Sequence, residues 1–90
     1  MLLTNTDFIP GKEFEILGIV SGVGVPPFKI KFTTEAWGKL IEEGVERAEQ
    51  SMMEKAKALK ADAVIRVFYD KESSDTVVSV IVWGTAVRFV

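Results

Sequence analysis

Ninety residues with 48% hydrophobic content and a net charge of −2 make one domain, residues 1–90, too weakly charged to seek a polyanion. Lysines and arginines are scattered, which counts against a nucleic-acid interface, and without cysteine or histidine there is no disulfide framework, zinc finger, thiolate nucleophile or imidazole base. Met1 to Pro10 lacks the apolar core of a signal peptide, and no apolar run approaches the ~20 residues that span a bilayer, so a soluble cytoplasmic protein is expected.

Leu2-Leu3-Thr4 begins a short strand that the polar Asn5-Thr6-Asp7 ends. Ile9-Pro10-Gly11-Lys12 reads as a turn, with proline presetting φ at the second position and glycine supplying positive φ at the third. Glu13 to Gly22 reads as a strand with Phe14, Ile16, Leu17, Ile19 and Val20 apolar on both faces. Gly18 and Gly22 share one of those faces and leave a shallow strip where a helix could approach closely. Val23 to Thr33 is irregular, with Gly24 and Pro26-Pro27. Its alternation of Phe28, Ile30 and Phe32 with Lys29 and Lys31 suits a short edge strand or an extended arm.

Thr34 to Lys60 is the one long helical pattern. Trp37, Ile41, Val45, Ala48, Met52, Ala56 and Leu59 form a single apolar stripe. Thr34 is a good N-cap, Glu35 sits in the first turn, and Lys55, Lys57 and Lys60 gather at the end where the dipole favours cations. A helix of about 26 residues is roughly 39 Å long. A compact chain of this length has a radius of gyration near 12 Å and a diameter of roughly 31 Å. The helix should therefore break at Gly38 or Gly44, or a neighbouring subunit should cover its end.

After the helix, Ala63 to Asp70 reads as a strand, Lys71 to Asp75 as a hairpin loop, and Thr76 to Val90 as a long last strand with a bulge or bend at Gly84. That strand is apolar on both faces, with Val77, Ile81, Trp83 and Val87 on one and Val78, Val80, Val82 and Ala86 on the other. The expected fold is α+β in two layers, one long helix on an antiparallel sheet. One helix covers one face only, and the chain holds no second layer for the other. A homo-oligomer is expected, its sheets packed face to face or edge to edge between subunits.

Ile9-Pro10-Gly11-Lys12-Glu13, Leu17-Gly18-Ile19-Val20-Ser21-Gly22, the run from Ala56 to Leu59 into Ala61-Asp62-Ala63-Val64, and Gly84-Thr85-Ala86-Val87 together resemble the YbjQ family of small bacterial and archaeal proteins, which is labelled heavy-metal-binding. The resemblance spans nearly the whole chain. It implies a β-α-β-β core akin to the dodecin subunit, assembled as a pentameric ring. The family's longer Gly- and Arg-rich stretch before and within the start of the helix is replaced here by Val23 to Thr33. Lys60 stands where the family has glycine.

Three functional readings follow. The first is a non-enzymatic, structural or small-ligand-binding oligomer, with Trp37 and Trp83 as flat surfaces for a planar, flavin-like ligand; core or interface packing is the plainer role for both. The second is a metal-binding protein. Soft metals want thiolate or imidazole; what remains are carboxylates and the thioethers of Met1, Met52 and Met53, of which Met52 and Met53 read as packing residues. The metal is therefore placed on inter-subunit carboxylates: Glu42, Glu46 and Glu49 share one helical face, which is otherwise simply solvated. The third is an enzyme, for which Ser21 would need a base that the sequence does not identify.

Overall fold

The computed structural model describes residues 1–26, 34–73 and 78–90. The elements run β1 (Leu2–Leu3), β2 (Phe14–Gly24), α1 (Thr34–Ala58), β3 (Ala63–Ser73) and β4 (Val78–Phe89). The strands form one four-stranded sheet in the order β1-β3-β4-β2, and α1 lies across one face of it. β2 and β3 each run antiparallel to β4, whereas the two-residue β1 runs parallel to β3, pairing Leu2 with Ala63 and Leu3 with Val64. The sheet is thus mixed rather than wholly antiparallel.

The expected arm falls mostly on residues 27–33 and the tip of the expected hairpin loop on residues 74–77, outside the described residues; so do the side chain of the expected cap, Thr34, and the face assigned to Val77. Strand β3 continues through Lys71 and Glu72 to Ser73, which pairs with Val78, so half of that loop is strand.

The helix is continuous through Gly38 and Gly44. It does not break, and the molecule is elongated enough to carry it: its radius of gyration is 14.9 Å and its long axis 48 Å. Strands of 11 and 12 residues supply a surface as long as the helix.

Leu40, Gly44, Ala48, Met52 and Ala56 form the buried stripe of α1, stepping by four, with Trp37, Ile41 and Val45 half-buried beside it and Leu59 exposed. Their partners are Val20, Val64, Val67, Val80, Val82 and Ala86. Two positions absent from the expected stripe, Leu40 and Gly44, belong to it. Gly44 lies under Val80 and Pro26, where a Cβ would come within 2.8 Å of Val80 Cγ2.

The contact between α1 and β2 is made backbone to backbone. A Cβ on Gly22 would stand 2.0 Å from the carbonyl oxygen of Ala48, and one on Gly24 2.0 Å from that of Gly44. The glycine strip expected at Gly18 and Gly22 is present, but its tight end is Gly22 and Gly24. At Gly18 the nearest neighbour is Leu59 Cδ1, at 4.0 Å.

The helix ends with a Schellman motif: Ala61 N–H donates to Ala56 O at 3.0 Å and Lys60 N–H to Lys57 O at 2.9 Å. This places Lys60 in the left-handed region, at φ 62, where glycine is the unstrained choice.

The expected bulge at Gly84 is on other strands. One lies in β2 between Ile16 and Gly18, the other in β3 between Ile65 and Phe68. Gly84 pairs regularly with Val20 and stands opposite the β3 bulge, where a Cβ would meet Val64 Cγ1 at 2.3 Å. Its small size accommodates the bulge of the neighbouring strand.

Three substitutions test this packing by urea denaturation. Gly24→Ala should cost at least about 3 kcal/mol, because the blocking atoms are backbone and cannot rotate away. Gly38→Ala, with open space around it, should stabilise by about 1 kcal/mol through helix propensity. Lys60→Gly should raise stability by roughly 0.5–1 kcal/mol as left-handed strain is relieved. Equal effects at Gly24 and Gly38 would contradict the close approach.

Candidate functional site

Strand alternation turns Val20, Gly22, Val80, Val82 and Ala86 toward the helix and leaves Ile19, Ser21, Val23, Ile81, Trp83 and Thr85 on the opposite face. One end of that face has a cover after all. The N-terminal segment brings Ile9 and Phe14, with Phe89, over Ala63, Ile65 and Val87. The turn that precedes β2 forms as expected, with Lys12 N–H donating to Ile9 O at 3.1 Å and Gly11 at φ 75. Lys12 Nζ stands over the Phe89 ring, and Arg88 pairs with Glu15 across β4 and β2. This chain therefore supplies part of the second layer itself.

The other end is uncovered among the described residues. Ile19 is 81% exposed, Phe68 58% and Val23 55%, and Ile16, at the margin of the covered end beside Val87, is 69% exposed. Isolated exposed apolar side chains are ordinary, but these share one face with half-buried Trp83 and Ile81. Phe68 and Trp83 are register partners on β3 and β4, stacked with ring centroids 5.0 Å apart and planes 21° from parallel. Beside them is a shallow depression of about 270 Å³ lined by Ile19, Arg66, Phe68, Trp83, Gly84 and Thr85.

Arg66 owes its position to the β3 bulge. It adopts φ 53, its N–H donates to Thr6 O at 2.9 Å, and Val67 N–H donates to Thr4 O at 3.0 Å. The N-terminal segment thus pins the extra residue, and Asp7 Oδ2 lies 3.7 Å from the guanidinium. Asp62 braces the start of β3, accepting from Phe89 N–H at 2.9 Å.

Of the residues singled out from sequence, Trp83 lies on this face and Trp37 on the helix, so one chain does not bring the two together. Glu42 and Glu46 are exposed on α1, and Glu49 is half-buried. Among the described residues, no three His, Cys, Asp or Glu side chains converge on a point that could hold a metal ion. Arg66 and Phe68 were not singled out from sequence. Their strand was legible, but the bulge that places them beside Trp83 leaves no mark in composition or periodicity.

Among the described residues, the one displaced ionisation is Tyr69, on the helix side of the sheet opposite Val82. Burial pushes its phenol above the ordinary value of 10.0, and the negative charge of Glu49 adds to the effect. No described helix is long and apolar enough to cross a membrane.

Comparison with known proteins gives a coherent set of relatives. Residues 32–90 match the family model YbjQ_1, described as "Putative heavy-metal-binding". A UPF0145 protein of Clostridium novyi is 36% identical over 101 residues, covering 98% of each chain. A UPF0145 protein of Lactiplantibacillus plantarum is 33% identical over 107 residues, covering 100% of this chain and 90% of its own. Both aligned lengths exceed the 90 residues here, so these relatives carry residues that this chain lacks. Among solved structures, a DUF74-family protein of unknown function from Pediococcus pentosaceus superposes with a TM-score of 0.79 over 100% of this chain and 98% of its own. At 18% identity that match establishes the fold.

Tyr69 is the only tyrosine, so phenolate absorbance reads it alone. Its midpoint should lie above 10.0, and Glu49→Gln should lower it. Because the folded value is raised, the neutral phenol contributes stability that is complete below the unfolded value and lost as pH rises through the folded one. A midpoint at or below 10.0 would contradict this placement.

Proposed function

The chain belongs to the YbjQ family of UPF0145 proteins, and on that premise we propose that it works as a homo-oligomeric binding module rather than an enzyme. The observation that carries this reading is the outer edge of β2. Among the described residues β2 pairs only with β4, leaving eleven residues of strand with a free edge. The strand has one charged residue, Glu15, no lysine and no proline, and it exposes Ile16, Ile19 and Val23. Long apolar edges of this kind invite pairing with another chain.

The opposite edge differs. Past its short pairing with β1, β3 carries Asp70, Lys71 and Glu72, charges that discourage indiscriminate pairing. A ring is a heterologous assembly in which one surface meets a different surface of the next copy. The edge of β2 docking near β3 of the next copy would meet that requirement, and a pentamer is the ring that the family resemblance implies. The absence of histidine and cysteine supports binding over catalysis, and the one ionisation displaced among the described residues, Tyr69, shifts away from neutrality.

A second reading rests on the family model's description, "Putative heavy-metal-binding". It places a divalent cation on Glu42, Glu46 or Glu49 where copies meet, since no three ligands converge among the described residues of one chain. Glu46→Ala should then abolish stoichiometric cation binding in calorimetry and leave assembly unchanged.

Native mass spectrometry tests the main reading. The wild-type chain should appear as a discrete multimer, with five copies expected. Val23→Glu, a substitution at an exposed position, should shift it to monomer while circular dichroism stays unchanged. A wild-type monomer, or a Val23→Glu protein that keeps the wild-type stoichiometry, would overturn it.

A further inference from the structure

Among the described residues Arg66 is the only charged side chain lining the depression beside Phe68 and Trp83, and an unusual backbone holds it there. A residue bearing a Cβ rarely adopts φ 53 in a strand; glycine or asparagine would suit the bulge better. An arginine at this position brings a cation next to a stacked aromatic pair, on a face otherwise lined by Ile19, Gly84 and Thr85.

We infer that this depression binds a small planar aromatic anion, its ring against the Phe68–Trp83 shelf and its carboxylate, sulfonate or phosphate on Arg66. Each half of that ligand answers a named feature. Phe68 is more than half exposed, so its stack with Trp83 leaves apolar aromatic surface that a further ring can cover. The guanidinium has five N–H donors, and its ion pair with Asp7 is loose, at 3.7 Å between side chains that are both largely exposed. An incoming anion can therefore use donors that Asp7 does not. The hydroxyl of Thr85 offers a further donor at the rim.

Size limits the ligand. About 270 Å³ falls just short of the roughly 300–1,000 Å³ of sites for drug-sized molecules, so a one- or two-ring compound fits best. The site is made by a single chain and does not depend on the assembly proposed above.

The probes are 2-naphthoate and its uncharged amide, 2-naphthamide, titrated by calorimetry into the full-length protein. Naphthoate should bind roughly tenfold more tightly than the amide, reflecting a charge-assisted contact at a partly solvated site. Arg66→Asn keeps a residue that tolerates the left-handed bulge. It should erase that preference and leave amide binding unchanged. Phe68→Ala, at an exposed position, should weaken both probes together. Asp7→Asn should tighten naphthoate alone by a few-fold, since it removes the competing carboxylate. Equal affinity for the two probes, naphthoate binding untouched in Arg66→Asn, or no binding of either at millimolar concentration would overturn the inference. Repeating the titration on Val23→Glu separates it from the assembly: binding should persist in that variant, and its loss would also count against a single-chain site.

Discussion

The helix rests on the sheet through bare backbone, and most of the architecture follows from that contact. Gly22 and Gly24 on β2 meet the carbonyls of Ala48 and Gly44 on α1, with no side chain between them. Such an approach lets a single helix of 25 residues cover strands of matching length using small residues, Gly44, Ala48 and Ala56, along with Leu40 and Met52. It also fixes the sidedness of the sheet. Once β2 commits Val20, Gly22 and Gly24 to the helix, Ile19, Ser21 and Val23 must face away. The bulges serve the same end, since each adds one residue and resets the alternation so that Val64 and Val67 both reach the core despite the offset between them.

That sidedness leaves the chain with a second face that it covers only in part. Ile9, Phe14 and Phe89 close the end near Ala63, Ile65 and Val87, and Asp62 and the Arg88–Glu15 pair hold that region together. Toward the other end lie the apolar residues of β2, Ile81 and the Phe68–Trp83 stack. The two outer strands of the sheet differ in the same sense: β3 is guarded by charge where β1 leaves it unpaired, and β2 is not. Self-association through β2 and a ligand on the aromatic shelf occupy neighbouring parts of one open surface, and the proposed small anion would sit on the strands behind that edge.

Much of this was legible in the sequence because it depends on local chemistry. The Pro10-Gly11 turn, the glycine strip on β2, the long amphipathic helix and the strands after it each follow from residue type and period. The bulges were not legible, because an extra residue in a strand is defined by its partner's register and not by its own composition. Their consequences were missed with them: the reason Gly84 is small, the left-handed Arg66 and the meeting of Arg66 with Trp83. The two-residue β1 is too short for periodicity to assign a partner, and its parallel pairing to β3 is set by the anchoring of Thr4 and Thr6 on the bulge. A spherical domain of this length would be shorter than the helix, and the elongated sheet accommodates it instead. Glu42, Glu46 and Glu49 share a helical face by spacing, but spacing alone does not converge carboxylates on a point.

Hydrogen–deuterium exchange along β2 tests most directly whether its edge is where copies join. In a strand with one partner, alternate amides point away from that partner and exchange freely unless something pairs with them. In the assembled protein, the outward amides between Phe14 and Gly24 should be protected as strongly as the inward ones, and in Val23→Glu they should exchange rapidly. Fast exchange of the outward amides in both proteins would show that β2 is a free edge and that copies, if they join, do so elsewhere.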